Sequence, residues 1–551
     1  MKNYIKIFIA FAVVLSTFTS CKKTFLDEKV YSSFTPDALS DSLSFEAAIV
    51  GIQNQYALWH TLASDNVNSQ GFLCVWQMGT DVAYNKAPAD LDPLAVPYTN
   101  YENLTPTDNT ALVVWKWAYN LINNCNNVIG KVDAAPMGAA NKASIKSEAS
   151  FYRALGYNTL ATLFGKVPII TTSITTPKPD FVRATLTDVN TLIIGDLTFA
   201  KNNLPSIGNV KSNSKGKMYS RVNKSMASQL LSEVYLRTGQ NALAEAEADA
   251  VISSGDFSLI TSRYGIKASQ PGDPFADMFI YGNQRRSQGN RESIWTLEIE
   301  NPNTVVGGAG MATSNIFPGF TFATPQYRRV WGSRYHQQTG MLLCDSLGGR
   351  GISRMALTPF VLNNLYGAGD MRNSQYNLRR IYYYNNPATP ALYGQAVNPN
   401  AAGIDTNRFI VPQTNKWNQY DPNDAFGFAT IKDIIVMRLG ETYLLKAEAQ
   451  LAQGNTTGAA TTLTTLRSRS GAGVVSAAQV NMDFILDERA RELIAEENRR
   501  MTLMRTGTLV TRATTRGMKI TNLTSKNLLF PIPLSEIQLN KDAVLEQNPG
   551  Y

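Results

Sequence analysis

Glu488, Glu492 and Glu496 recur every fourth residue, a spacing that sets carboxylates along one face of a helix. Two carboxylates held across a cleft are the machinery of glycoside hydrolysis, one as acid and the other as base or nucleophile. Arg489 and Arg499 are interleaved with them, and Arg505 follows closely. Aligned carboxylates repel unless cations offset them. The pattern is therefore read as an interhelical ion network that fixes helix register rather than as a catalytic pair. Only two histidines occur, His60 and His336. So few leave no His-rich metal site and little basis for a Ser-His-Asp or Cys-His relay. His60 follows an apolar helix face and is read as a helix-end residue. Gly307-Gly308-Ala309-Gly310 lacks the preceding strand, the following helix and the Lys-Ser/Thr pair of a phosphate loop. No cofactor and no metal are expected.

The aromatic residues point to different chemistry. Trp76, Tyr84, Tyr98 and Tyr101 lie in an irregular stretch over 65–110. Tyr281, Trp331, Tyr335, Tyr366, Tyr382, Tyr383, Tyr384, Tyr393 and Trp417 lie in a second one over 256–430. Both stretches are rich in Gly, Asn and Pro, and loops this long in a compact protein are usually functional. A sugar ring offers an apolar C–H face that stacks on an aromatic face. Its hydroxyls need Asn, Asp, Gln or Arg at the edges.

Between these stretches the chain reads as helical hairpins. Phe45, Ile49, Ile52, Tyr56 and Trp59 share one helix face, as do Trp115, Tyr119, Ile122, Asn126 and Ile129. A third helix carries Phe151, Leu155, Leu160 and Leu163 and stops at Gly165. A fourth runs from Leu186 to Ala200 and ends at Leu204-Pro205. Two segments look like tetratricopeptide-type pairs: Ala227–Tyr235 with Ala242–Val251 about Gly239, and Leu439–Ala447 with Ala459–Leu466 about Gly454. Small residues let such helices approach, and glycine allows the tight turn. Short strands are expected at Ile294–Ile299 and Ile381–Tyr384. The fold class is mostly α, a tetratricopeptide-like scaffold under a loop-rich, partly β region.

Of 551 residues, 44% are hydrophobic and 17% charged, which suits a globular chain with a large core. The net charge of +8 falls to +6 without Lys2 and Lys6, and the charges are scattered, so nucleic-acid binding is not supported. Lys2 and Lys6 precede the apolar run Ile7–Leu15, which is too short to span a bilayer. Ser16 to Ser20 then lead into Cys21. The stretch resembles a bacterial lipoprotein signal, with Phe18 where leucine is usual, and implies a lipid anchor on Cys21. Residues 1–20 are read as the signal, 21–255 as an N-terminal helical region and 256–551 as a C-terminal region with long loops and closing helices. Cys74, Cys125 and Cys344 remain. Cys125 lies in an apolar helical pattern and is read as a buried free thiol, while one disulfide among the three stays open.

Ordered motifs along nearly the whole chain resemble the SusD/RagB family of outer-membrane nutrient-binding lipoproteins. Phe25-Leu26-Asp27 matches the family's opening. Trp115, Tyr119, Ile122 and Asn126 match a family helix. Arg153-Ala154 and Leu163 to Pro168 follow, with Phe164 and Lys166 as departures. Arg438, Glu441, Ala447 and Glu448 fit a later helix, with Gly440 in place of alanine. Glu488-Arg489, Glu492, Glu496, Arg499, Arg505 and Gly507 come next, and Gln547-Asn548-Pro549-Gly550-Tyr551 close the chain. The resemblance implies non-catalytic capture of a nutrient, an oligosaccharide or polysaccharide, at the cell-surface side of the outer membrane. The ligand would pass to a SusC-like TonB-dependent transporter. It also implies binding through loop aromatics. The first candidates are Tyr84, Tyr98, Tyr101, Trp331 and Tyr335, with Asp81, Asn85 and Arg291 as polar neighbours.

The rival readings are a surface glycoside hydrolase, a purely structural tetratricopeptide-like adaptor with no small ligand, and a binder of peptide or other non-glycan cargo. The leader itself generates a test. Cys21→Ala is expected to release the protein from membranes without unfolding it. Fractionation with metabolic fatty-acid labelling checks this, and unchanged retention and labelling would exclude the anchor.

Overall fold

The computed structural model describes residues 39–62, 69–86, 93–300, 326–420 and 432–551. Cys21, Phe25-Leu26-Asp27 and the Gly307–Gly310 run lie outside the described residues. The segments with a helical apolar period all form helices. Those of eight residues or more are α1 Ser42–Ala57, α2 Asn109–Val132, α3 Ala139–Phe164, α4 Leu186–Asn203 and α5 Lys224–Arg237. They continue as α6 Asn241–Ile252, α7 Leu439–Ala452, α8 Thr456–Ser468, α9 Met482–Leu493 and α10 Leu509–Arg516. Their starts are set by side chains that accept from free backbone N–H groups: Asp41 on α1, Asp108 on α2, Asn223 on α5, Asn455 on α8 and Asn481 on α9. Gly239 and Gly454, at φ +71° and +78°, turn α5 into α6 and α7 into α8 through backbone that a side chain would strain.

Each helix from α2 to α8 packs on the next, as in a tetratricopeptide-like stack. The step from α6 to α7 joins helices far apart in sequence. The loop-rich segment 253–433 is thus inserted between two helices that are neighbours in space. Strands are short and pair two by two, all antiparallel. They are β1 Ala83–Tyr84, β2 Ser212–Asn213, β3 Gly216–Lys217, β4 Ser293–Leu297, β5 Ala356–Leu357, β6 Leu378–Arg379, β7 Gln413–Thr414 and β8 Ile434–Arg438. The pairs are β1 with β5, β2 with β3, β4 with β8 and β6 with β7. β4 is buried throughout, and its Trp295 stacks on Tyr56 of α1 at 4.6 Å. The strand expected at Ile381–Tyr384 is reduced to one bridge, Tyr383 to Ala396, because β6 stops at Arg379.

One core runs from Phe45 to Leu545. Cys74 and Cys125 are buried in it, and Cys74, Cys125 and Cys344 are all free thiols. His60 ends a 3₁₀ turn after α1, with Nδ1 2.8 Å from the Tyr327 hydroxyl.

The glutamates form the expected network, although Glu496 is not on the helix. α9 ends at Leu493, and Ala495 takes φ +64°, so the chain turns and brings Glu496 back toward the same cluster. Glu492 is fully buried and accepts from Arg372, Arg438 and Arg469. Glu488 accepts from Arg372 at 2.8 Å, Arg467 at 2.6 Å and Arg491 at 2.7 Å. Glu496 pairs with Arg438 and Lys416, and Glu292 with Arg469 and Arg438. Burial opposes the charge on Glu488 and Glu492, and the guanidinium groups outweigh it. Glu488 is held down to about 2, and Glu492 well below the usual carboxylate range.

Glu492→Gln keeps the shape and removes one charge from a cluster of three arginines. Breaking a buried pair from one side costs about 3–5 kcal/mol. The variant is expected to melt clearly below the parent protein in a calorimetric scan. An unchanged transition would show that the cluster does not hold the helices together.

Candidate functional site

The five first-choice aromatics do not form an open site. Tyr98 and Tyr101 are buried in the main core. The Tyr98 hydroxyl donates to Asp108 at 2.8 Å, and Arg500 donates to the Tyr101 hydroxyl. Arg500 also lies 4.9 Å from the centre of the Tyr98 ring. Tyr84 sits on β1, packed with Ala356 and Val411. Trp331 is buried and lines a cavity of about 210 Å3 together with Trp59, Trp76, Tyr327 and Trp417. Tyr335 is buried, with its hydroxyl tied to the Cys344 backbone at 3.1 and 3.3 Å. Asp81 is a structural carboxylate that accepts from Arg499 at 2.6 and 2.8 Å and from Arg512 at 2.7 Å. Burial opposes its charge, and the two arginines hold its pKa down to about 2. Asn85 is buried, and Arg291 is exposed and not part of either cavity lining. All five rings are buried, and of them only Trp331 lines one of these cavities.

Other aromatics from the same loops are open. A surface cleft of about 800 Å3 is lined by Tyr281, Tyr376, Tyr383, Tyr384, Tyr393 and Tyr420. Tyr281, Tyr383 and Tyr393 are 41%, 50% and 56% exposed, far above the buried candidates. Four of the six belong to the wider aromatic set of the sequence; Tyr376 and Tyr420 do not. The signal that marks the place is the Tyr382-Tyr383-Tyr384 run before Asn385-Asn386-Pro387.

Local backbone explains which rings face out. Tyr384 N–H donates to the Gln395 carbonyl at 3.0 Å, and Gly394 N–H to the Tyr384 carbonyl at 2.8 Å. In such extended chain, successive side chains alternate between faces. Tyr382 is buried against Tyr335, Met341, Leu347, Val397 and Ile410, and Tyr383 is exposed. Tyr335 therefore supports the cleft floor rather than the ligand face. Tyr384 lies over Gly340, where a Cβ would approach its Cδ1 to 2.8 Å. Only glycine allows that approach.

The opposite wall is the segment 273–281. Asp273 caps the short helix Pro274–Asp277, accepting from Ala276 N–H at 2.8 Å. Its carboxylate also accepts from Ser374 Oγ at 2.6 Å and Asn377 Nδ2 at 3.0 and 3.1 Å. One buried acid thereby joins the two walls. Phe275 and Phe279 of this segment lie under Lys416 at 4.9 and 4.8 Å, with Arg438 and Arg469 also over Phe275. The cleft wall rests on the ion cluster through these cation–π contacts. The two cleft acids are neutralised: Asp277 by Arg263 at 2.6 Å and Asp345 by Lys267 at 2.5 Å. Asn385, Asn415 and Asn418 hydrogen-bond to the loops around them and shape the rim.

Among the described residues, a helical-repeat scaffold thus carries an open, tyrosine-lined cleft whose two acids are both paired. The comparisons identify the kind. The SusD family matches residues 291–551, and a family described as starch-binding associating with outer membrane matches 24–236. The chain belongs to the SusD/RagB family, whose members are non-catalytic. A SusD-like protein of Formosa agariphila is 23% identical over the full length of both chains. The starch-binding protein SusD of Bacteroides thetaiotaomicron is 33% identical over a quarter of each. Among solved structures, a laminarin-binding SusD-like protein has a TM-score of 0.70 at 23% identity, covering 93% of this chain and all of that one. Surface glycan-binding protein A from B. thetaiotaomicron, in complex with laminarihexaose, has a TM-score of 0.69 at 18% identity, covering 92% of this chain and all of that one.

Asp273→Ala removes a cap and leaves Asn377 short of an acceptor, a loss of about 2 kcal/mol. Hydrogen exchange is expected to quicken in 273–281 and 371–379 while α2 to α4 keep their protection. Uniform exchange across the molecule would show that Asp273 does not join the two walls.

Proposed function

We propose that this protein captures a glycan in the Tyr281–Tyr383–Tyr393 cleft and passes it to a SusC-like TonB-dependent transporter. It would do so at the cell-surface face of the outer membrane, held there by lipid on Cys21. The exposure of three tyrosines around one cleft carries the reading. A tyrosine ring gives a sugar's C–H face an apolar platform, and its hydroxyl serves the sugar's edge. The chain's family supports it, since solved relatives are named for binding laminarin or laminarihexaose. The outer-membrane location is supported by the description of the family that matches 24–236. No helix of the described residues is long and apolar enough to cross a membrane.

A wide, open site gains little from burial, so affinity is expected in the micromolar to millimolar range, roughly −8 to −4 kcal/mol. Calorimetry against a panel of soluble polysaccharides tests the reading. Tyr383→Ala and Tyr393→Ala should each remove most detectable binding and leave the melting transition in place. Tyr98→Phe should leave binding intact. Equal binding by both alanine variants would move the site elsewhere. Silence across the glycan panel with binding of a peptide would replace the ligand class.

A further inference from the structure

Of the three cations that line the cleft, two are already neutralised. Arg263 is paired with Asp277, and Lys267 with Asp345. Arg379 is different. It stands at the end of β6, beside Tyr383 and Tyr384 in the lining. Its Nη2 donates to the Ser346 carbonyl at 2.6 Å, and its guanidinium lies 5.9 Å from the centre of the Tyr382 ring. No carboxylate pairs with it among the described residues, and its Nε is shielded from solvent with no hydrogen-bond partner. Burial pushes its pKa down, with only Tyr382, Cys344 and Tyr335 acting against that shift. A largely buried guanidinium without a counter-charge is a costly arrangement that an anion in the cleft would relieve.

The bound partner of such a group is an anion. With Nη2 bound to Ser346 and Nε shielded, the guanidinium offers a cleft oxyanion its charge and its remaining N–H donors. The lining holds three cations against two carboxylates, so a neutral ligand would leave one positive charge without a counter-charge. We propose that the cleft selects a glycan carrying an anionic group, a uronate carboxylate or a sulfate ester, and that Arg379 receives that group while the tyrosines stack on the sugar rings. This rests on the cleft being the glycan site. It departs from the glucans named for the relatives, since starch and laminarin carry no ionised group.

The experiment uses the whole protein and ligands whose charge is removed chemically. One arm compares an acidic polysaccharide with its carboxyl-reduced form. The other compares a sulfated polysaccharide with its desulfated form. The expected result is binding that weakens roughly tenfold or more in one arm on loss of the charge and weakens with added salt; which arm responds names the source of the anion. Arg379→Met should abolish the discrimination, and Arg379→Lys should keep part of it. Tyr383→Ala should weaken charged and neutral forms alike. If carboxyl-reduced and desulfated ligands bind as tightly as their parents, the proposal is overturned even though the cleft stands. If glycans bind and Tyr383→Ala and Tyr393→Ala have no effect, the cleft reading itself fails. The ligand modifications need no protein variant, so the result holds even where Arg379→Met does not fold.

Discussion

The buried cluster around Glu492 is the interaction on which the architecture depends. It takes acids from α9 and from the residue before β4, and cations from the end of β8, from α8 and its C-cap, and from the 371–373 and 416 loops. An isolated charge in this position would cost far more than folding can supply. The elements that carry the partners therefore cannot separate without stranding one. Hydrophobic contact is tolerant of small slides, whereas charge pairing is not. The cluster fixes how the helical stack meets the loop-rich insertion in a way that apolar packing alone would leave loose.

That fixing extends to the cleft. Phe275 and Phe279 touch the cations on one side, and their own segment forms a wall on the other. Asp273 then ties this wall to the loop that leads into Arg379. A wide sugar site on loops would ordinarily lose binding energy to the ordering of those loops. Here the loops are already tied to one another and to the ion cluster, so a ligand in the cleft would not have to order them.

Much of the scaffold was legible in the sequence. Apolar residues at helical spacing and hairpin glycines each have a local physical cause, and the segments named from them became α1 to α8. The alternation of Glu and Arg also announced its own neutralisation. The cleft was legible only in part. Composition says that a loop is aromatic but not which ring faces inward, because that depends on partners distant in sequence. Tyr98 and Tyr101 are taken by Asp108 and Arg500, while Tyr383 escapes burial by standing one residue from Tyr382. Asp81 looked like a sugar-binding edge because its two arginines lie more than four hundred residues away.

That distance has a further consequence, for the order of folding. Asp81 must wait 418 residues for Arg499 and 431 for Arg512. A chain that emerges from its N-terminus carries this acid, and the rings around it, long before their partners exist. Contacts of such separation are slow to close, and the waiting segments expose apolar surface meanwhile. The last sixty residues are thus no appendage. A chain cut short before α9 would leave Asp81 a bare buried carboxylate and Tyr98 and Tyr101 without Arg500, so the N-terminal helices would not be expected to stand alone. The molecule completes itself from its end backwards.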